Sequence, residues 1–166
     1  MSTEAEGAGR GPFTHLDESG AARMVDVSAK DVSVRTATAT GFVRLSAGCV
    51  SALRQGDVPK GDALAVARIA GIQGAKKTPD LVPLCHPIAL HGVSVTLEVR
   101  DAGVAVTAVV RTADRTGVEM EALTAVSVAG LALIDMVKAL DPAAVITDVR
   151  VEEKTGGKTG TWRRDG

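Results

Sequence analysis

Residues 117–138 read GVEMEALTAVSVAGLALIDMVK, and no residue between Glu121 and Asp135 carries a charge. A membrane-spanning helix needs roughly 20 apolar residues, so this shorter run with many small residues predicts a core helix that has charged ends. At about 1.5 Å of rise per residue, the two carboxylates would lie roughly 21 Å apart along the helix axis. One copy of the helix therefore cannot place both of them around one small ligand.

The sequence on either side of this helix predicts four strands and two further helices. Alternating residues rich in β-branched types indicate strands over residues 31–45, 91–100, 103–112 and 145–151. Ser46 and Asp62 suit helix N-caps, which predicts helices over residues 46–54 and 63–77. Three prolines make residues 78–90 a stiff loop, and residues 152–166 are predicted to form a glycine-rich basic loop.

The order of these elements is strand, helices, strand, strand, helix and strand, which matches the split β-α-β plan. Such a plan places the helices against one face of the sheet. The predicted fold class is therefore α+β, a ferredoxin-like antiparallel sheet with helices packed on one face.

The length of 166 residues and the hydrophobic content of 45% suit one compact domain. We predict a disordered N-terminal extension over residues 1–12 and a single domain over residues 13–166. A net charge of -1 and an aromatic content of 2% disfavour nucleic-acid and membrane partners. Two cysteines and an N-terminus without a leader pattern predict a cytoplasmic protein with reduced thiols.

Four polar residues are candidates for catalysis, and each has a plain structural alternative. Asp135 and Lys138 lie three apart on one helical face beside apolar turns, where lone charges are costly, although such pairs are usually surface ion pairs. Lys60 precedes a helix N-terminus, which binds anions, or is a surface lysine. His86 is presented by the proline-rich loop and suits a general acid or base, or is satisfied by a backbone carbonyl.

Two further patterns fit established motifs poorly. Cys85, His86 and His91 are of metal-ligating types, but their spacing matches no four-ligand zinc pattern, so no metal is expected. Lys158-Thr159 lacks the first glycine of a P-loop, since that position is Glu152. The glycines and lysines around it remain either a flexible lid over a phosphate or a solvated tail.

Six motifs together resemble the cyclic pyranopterin monophosphate synthases, the molybdenum cofactor biosynthesis accessory protein C family. They are MVDVSAK at 24–30, KGDALAVARIAGIQGAKKT at 60–78, DLVPLCHPI at 80–88, GVEMEALTA at 117–125, DMVKAL at 135–140 and KTGGKTG at 154–160. The resemblance covers about residues 13–162. It implies a lyase that converts 3',8-cyclo-7,8-dihydroguanosine 5'-triphosphate to cyclic pyranopterin monophosphate, with release of pyrophosphate and without a redox cofactor.

The resemblance also implies roles for individual residues and an assembly. Asp135 matches the family's catalytic acid/base, with Lys138 beside it and Lys60 as a further catalytic lysine. The residues that match substrate-contacting positions, or are further candidates with cations suited to a triphosphate, are Leu84, Cys85, His86, Met120, Glu121, Glu119, Asp26, Lys30, Arg35, Lys154 and Lys158. The implied assembly is a homohexamer, a trimer of dimers with active sites at the subunit interfaces.

Functions of two other classes remain as alternatives. A ligand-sensing regulatory domain of ferredoxin-like fold would need no acid/base group at the ends of the core helix. An RNA-recognition module would carry aromatic residues on its central strands, whereas residues 103–112 contain none. The regulatory domain is therefore the stronger alternative.

Overall fold

The computed structural model describes residues 14–166. Its elements, in chain order, are β1 (Ser33–Arg44), α1 (Ala47–Gln55), α2 (Ala63–Lys76), α3 (Thr78–Leu81), β2 (Gly92–Arg100), β3 (Gly103–Asp114), α4 (Glu119–Val137), β4 (Val145–Thr155) and β5 (Trp162–Arg163). The disorder predicted for residues 1–12 lies outside the described residues, as does Phe13. The division into that extension and a single domain over residues 13–166 stays a prediction.

The five strands form one antiparallel sheet in the order β2-β3-β1-β4-β5. The two central strands are β3 and β1, which pair along their whole length from Ser33 opposite Asp114 to Arg44 opposite Gly103. Strands β2 and β4 flank them, as the split β-α-β plan requires. The predicted α+β, ferredoxin-like class is confirmed.

One face of the sheet is covered by helices. Along β1, Ala37, Ala39 and Val43 are buried beneath α4, while the alternating threonines are only partly buried on the opposite face. Helix α2 packs on α4 at close range. A Cβ at Gly71 would lie 2.9 Å from the carbonyl oxygen of Ala125, so this crossing needs a glycine.

Helix α4 is the core helix of the molecule. It has 19 residues and a hydropathy of 1.7, so it is long and apolar enough to cross a membrane by those two criteria. The expectation that this run is too short to span is therefore not supported by length alone. Its interior residues Ala125, Ala129 and Leu133 are fully buried against the sheet and α2, and their burial in the protein confirms the predicted core helix.

The proline-rich segment and the C-terminal tail differ from the prediction. The predicted loop over residues 78–90 begins with the single turn α3, because Pro79 lies in the first turn, where its missing N–H leaves no hydrogen bond unmade. The predicted loop over residues 152–166 is wrong in two parts. Strand β4 continues to Thr155, and Trp162 of β5 pairs with Lys154 of β4. These stretches lack the apolar alternation that marks a half-buried strand.

Candidate functional site

A cleft at the N-terminal end of α4 brings together two of the segments that the sequence singled out. The loop after α3 places Leu84, Cys85 and His86 beside the first turn of α4, which carries Glu119, Met120 and Glu121. Lys30 closes the same cleft from the segment before β1. The cleft has a volume of about 390 Å³.

His86 is fixed by the backbone of the segment before β1. Its Nε2 lies 2.5 Å from the carbonyl oxygen of Val25. A carbonyl oxygen only accepts hydrogen bonds, so we assign a proton to Nε2, and Nδ1 is the ring nitrogen that this contact leaves unused. His86 is therefore satisfied by a backbone carbonyl, as the structural alternative predicted. This contact uses only one of the two ring nitrogens.

Glu121 is the most unusual polar residue of the cleft. Glu121 is only 3% exposed, and its Oε2 has no hydrogen-bond partner among the described residues. Burial raises the pKa of Glu121, and the negative charge of Glu119 adds to this increase. An unpaired buried carboxyl oxygen costs stability, so this atom needs a hydrogen-bond partner.

Cys85 is chemically quiet in this environment. Burial raises the pKa of the Cys85 thiol, and the charges of Glu121 and Glu119 raise it further. Since the thiolate and not the thiol is the nucleophile, Cys85 contributes a small apolar wall to the cleft.

A second cleft beside the first, here called the cationic cleft, is lined by four cations among its residues. It has a volume of about 140 Å³ and is lined by Lys30, Arg35, Arg115 and Lys154, together with Glu119. Lys154 Nζ lies 2.9 Å from Glu119 Oε1. An adjoining cleft of about 390 Å³ adds Lys158 to Lys30 and Arg35. The sequence therefore identified all of these cations except Arg115.

The glycines after β4 allow the C-terminal loop to approach Arg35. A Cβ at Gly157 would collide with the guanidinium group of Arg35, and Gly157 has a φ of 74°, which also favours glycine. Arg35 Nε donates to the carbonyl oxygen of Asp114 at 3.0 Å, which holds the guanidinium group in place. The loop over residues 156–160 thus lies against the cationic cleft and does not extend away from it.

A third group of candidate residues lies at the opposite end of α4. Asp135 accepts a hydrogen bond from Lys138 Nζ at 2.8 Å and one from Lys60 Nζ at 3.1 Å. The hydrogen bond from Lys138 and that from Lys60 lower the pKa of Asp135. All three side chains are about half exposed, so the charges expected at the mouth of a buried face remain hydrated in the single chain. Lys60 thus pairs with this carboxylate.

The sequence matches one protein family over most of its length. A family model described as the MoaC family matches residues 24–157. The chain belongs to the MoaC family. The resemblance drawn from the six motifs is thereby confirmed.

Curated relatives of this MoaC-family chain match nearly its whole length. The cyclic pyranopterin monophosphate synthase of Streptomyces coelicolor is 64% identical over 169 residues, which cover 99% of this chain and 99% of the relative. The protein of the same name from a Nocardioides species is 67% identical over 155 residues, covering 92% and 95%. Cyclic pyranopterin monophosphate synthase 2 of Mycobacterium tuberculosis H37Rv is 57% identical over 154 residues, covering 93% and 92%.

Not every predicted site residue lies in the two clefts at the start of α4. Asp26 lines a neighbouring groove with His86 and Arg115, where a hydrogen bond from Ser28 N lowers its pKa. Lys60, Asp135 and Lys138 form their own group. Within residues 14–166, no three His, Cys, Asp or Glu side chains come together as a metal-binding group.

Two further residues of this MoaC-family chain were not singled out as site candidates. Arg115 lies on the connection between β3 and α4, and Trp162 lines a groove of about 290 Å³ with Glu119, Val151 and Lys154. Arg115 could have been found from the sequence, because a cation just before a helix N-terminus suits anion binding. Trp162 had none, because its position depends on the pairing of β5.

Proposed function

We propose that this protein is a lyase of molybdenum cofactor biosynthesis that forms cyclic pyranopterin monophosphate. Its substrate would be 3',8-cyclo-7,8-dihydroguanosine 5'-triphosphate, and pyrophosphate would be released. Membership of the MoaC family and the names of the curated relatives favour this activity over a regulatory domain. The structural observation that carries the proposal is the cation-lined cleft beside the buried carboxyl of Glu121.

The cationic cleft suits the triphosphate of this substrate. Lys30, Arg35, Lys154 and Lys158 come from two separate parts of the chain, residues 30–35 and 154–158, and meet beside the N-terminal end of α4. When a sugar hydroxyl attacks the α-phosphorus, the bond from that phosphorus to the pyrophosphate oxygen breaks, and negative charge develops on the leaving group. Positioned cations stabilise this charge, which is how they accelerate phosphoryl transfer.

The cleft beside it suits the guanine-derived ring. Glu121 Oε2 is buried without a partner, and the ring carries adjacent N–H donors on its 2-amino-4-oxo edge. A hydrogen bond from this edge would satisfy the orphaned oxygen and thereby reward binding of a ring that has those donors. Leu84, Cys85 and Met120 then supply the apolar walls, and His86 Nδ1 is available to accept a proton.

Asp135 and its two lysines are the acid/base group of the proposal. Two ammonium groups keep Asp135 ionised, so it is suited to accept a proton, and Lys60 or Lys138 is suited to donate one. The ring rearrangement and the attack of the sugar hydroxyl both require such transfers.

The separation along α4 supports a site that two subunits share. At about 1.5 Å of rise per residue, Glu121 and Asp135 lie roughly 21 Å apart along the axis, which exceeds the reach of a small ligand's reacting centre. We therefore propose a homohexamer, a trimer of dimers, in which Asp135 of one protomer faces the Glu121 cleft of another. Leu131 and Ile69, which are 60% and 58% exposed on α4 and α2, are apolar surfaces suited to such packing.

The proposed surroundings of the enzyme follow from the same features. The free thiols of Cys49 and Cys85 and the burial of α4 support a cytoplasmic location. The substrate is a small nucleotide, and we propose neither a nucleic-acid nor a membrane partner.

The deciding experiment is incubation of the purified protein with the cyclised nucleotide, followed by measurement of pyrophosphate and identification of the pterin product by mass. We expect pyrophosphate and cyclic pyranopterin monophosphate in equal amounts. The Asp135→Asn variant should release neither at a comparable rate. If the wild-type protein is folded and binds the nucleotide but forms neither pyrophosphate nor the pterin, the result would instead favour the regulatory domain.

A further inference from the structure

Arg115 is one of the cations of the cationic cleft, and the family motifs assign no role to it. It follows β3 directly and lines the cleft of about 140 Å³ together with Lys30, Arg35 and Lys154. Its Nε donates a hydrogen bond of 2.8 Å to the carbonyl oxygen of Lys30. The side chain is thus held at the point where the segment before β1 meets the N-terminal end of α4.

Two of the other cations of this cleft, Lys154 and Arg35, have partners for their side chains that Arg115 lacks. Lys154 forms an ion pair with Glu119, and Arg35 donates through Nε and Nη2 to the carbonyl oxygens of Asp114 and Arg115. Among residues 14–166, the side chain of Arg115 donates only from Nε. Since its acceptor there is a neutral carbonyl, the positive charge of Arg115 is not compensated, and both of its Nη groups remain as donors.

We propose that Arg115 binds the triphosphate directly, with its two Nη groups on phosphate oxygens. This inference rests on the proposed function, because it assigns a residue to the phosphate part of that site. A guanidinium group anchored at Nε presents its remaining donors as a fixed fork, which matches a phosphate group better than a mobile lysine does.

Binding of inorganic tripolyphosphate, measured by titration calorimetry at several salt concentrations, tests the assignment. We expect Arg115→Ala to weaken binding about tenfold or more, the usual effect of losing a charge-assisted contact. The salt dependence of binding should also decrease. Arg115→Lys should retain most of that salt dependence, because it keeps the charge. Arg111→Ala is the matched control, since Arg111 is exposed on β3 and lies outside this cleft.

A double-mutant cycle with Lys30→Ala separates direct binding from mere positioning of Lys30. If Arg115 contacts phosphate itself, Arg115→Ala should weaken tripolyphosphate binding in the Lys30→Ala background as well. Unchanged affinity in the single variant, or an effect that disappears without Lys30, would overturn the proposal. Thermal unfolding of each variant checks the fold. This readout does not depend on turnover, so a wild-type protein that releases no pyrophosphate would refute the proposed function and leave the phosphate assignment to be judged alone.

Discussion

Lys60 Nζ donates a hydrogen bond of 3.1 Å to Oδ2 of Asp135, although 75 positions separate the two residues in the chain. Lys138 Nζ lies 2.8 Å from the other carboxylate oxygen. We expect Asp135→Asn and Lys60→Ala each to lower turnover at least about a hundredfold, because each removes a proton-transfer group. Rates of pyrophosphate release measure this. Asp101→Asn, which removes an exposed partner of Arg54, should leave the rate unchanged, and near-normal turnover in either site variant would refute its catalytic role.

The ionisation of Asp135 should depend on its lysines. In the wild-type protein the pKa of Asp135 lies below the ordinary value of 3.8, because the hydrogen bonds from Lys138 and Lys60 favour the carboxylate. The stabilisation from this pair is present above pH 3.8 and is lost as the pH falls through the lowered pKa. NMR titration of the carboxyl carbon should show Lys138→Ala moving the pKa of Asp135 upward. A pKa that does not change in this variant would contradict the observed hydrogen bond.

Glu121 should make stability depend on pH in the opposite direction. Burial raises the pKa of Glu121 above its ordinary value of 4.5, so the folded protein holds a proton that the unfolded chain has released. The contribution of Glu121 to stability is therefore most favourable below pH 4.5 and decreases as the pH rises through the raised pKa.

Glu121→Gln removes this ionisation. We expect the free energy of unfolding of the variant to decline less than that of the wild type between pH 4.5 and neutrality, as measured by urea unfolding. Glu98→Gln is the control, because Glu98 is exposed and pairs with Arg100. A parallel decline in Glu121→Gln and wild type would show that Glu121 does not carry the buried proton.

Mixed oligomers test whether two protomers share a site. A site that takes Asp135 from one chain and Glu121 from another can be rebuilt when Asp135→Asn and Glu121→Gln subunits are combined. Random mixing should leave about a quarter of the sites intact, since each interface draws one contribution from each of two chains. Pyrophosphate release after verified subunit exchange measures the recovery.

The matched control combines Asp135→Asn with Lys60→Ala. These residues lie in one group within one chain, so every mixed site would lack one of them and no recovery is expected. Absence of recovery in the first mixture as well would argue against shared sites.

The helix layer and the central strands could be predicted because their evidence is local. The uncharged run between Glu121 and Asp135 marks a buried helix, and alternation marks β3. Asp62 accepts a hydrogen bond from Ala65 N at 3.0 Å, as its N-cap position predicted. The motif spacing indicated the family, which the comparisons then confirmed.

Residue contacts across the sheet and between distant segments were decided only by the tertiary structure. The pairing of Trp162 with Lys154, the bond from Arg115 to the Lys30 carbonyl and the contact of Lys60 with Asp135 all join segments whose approach depends on packing. Residue types and spacing show what a side chain is able to do. Whether Glu121 is left without a partner depends on which atoms surround it once α4 is buried, and that is a property of the assembled core.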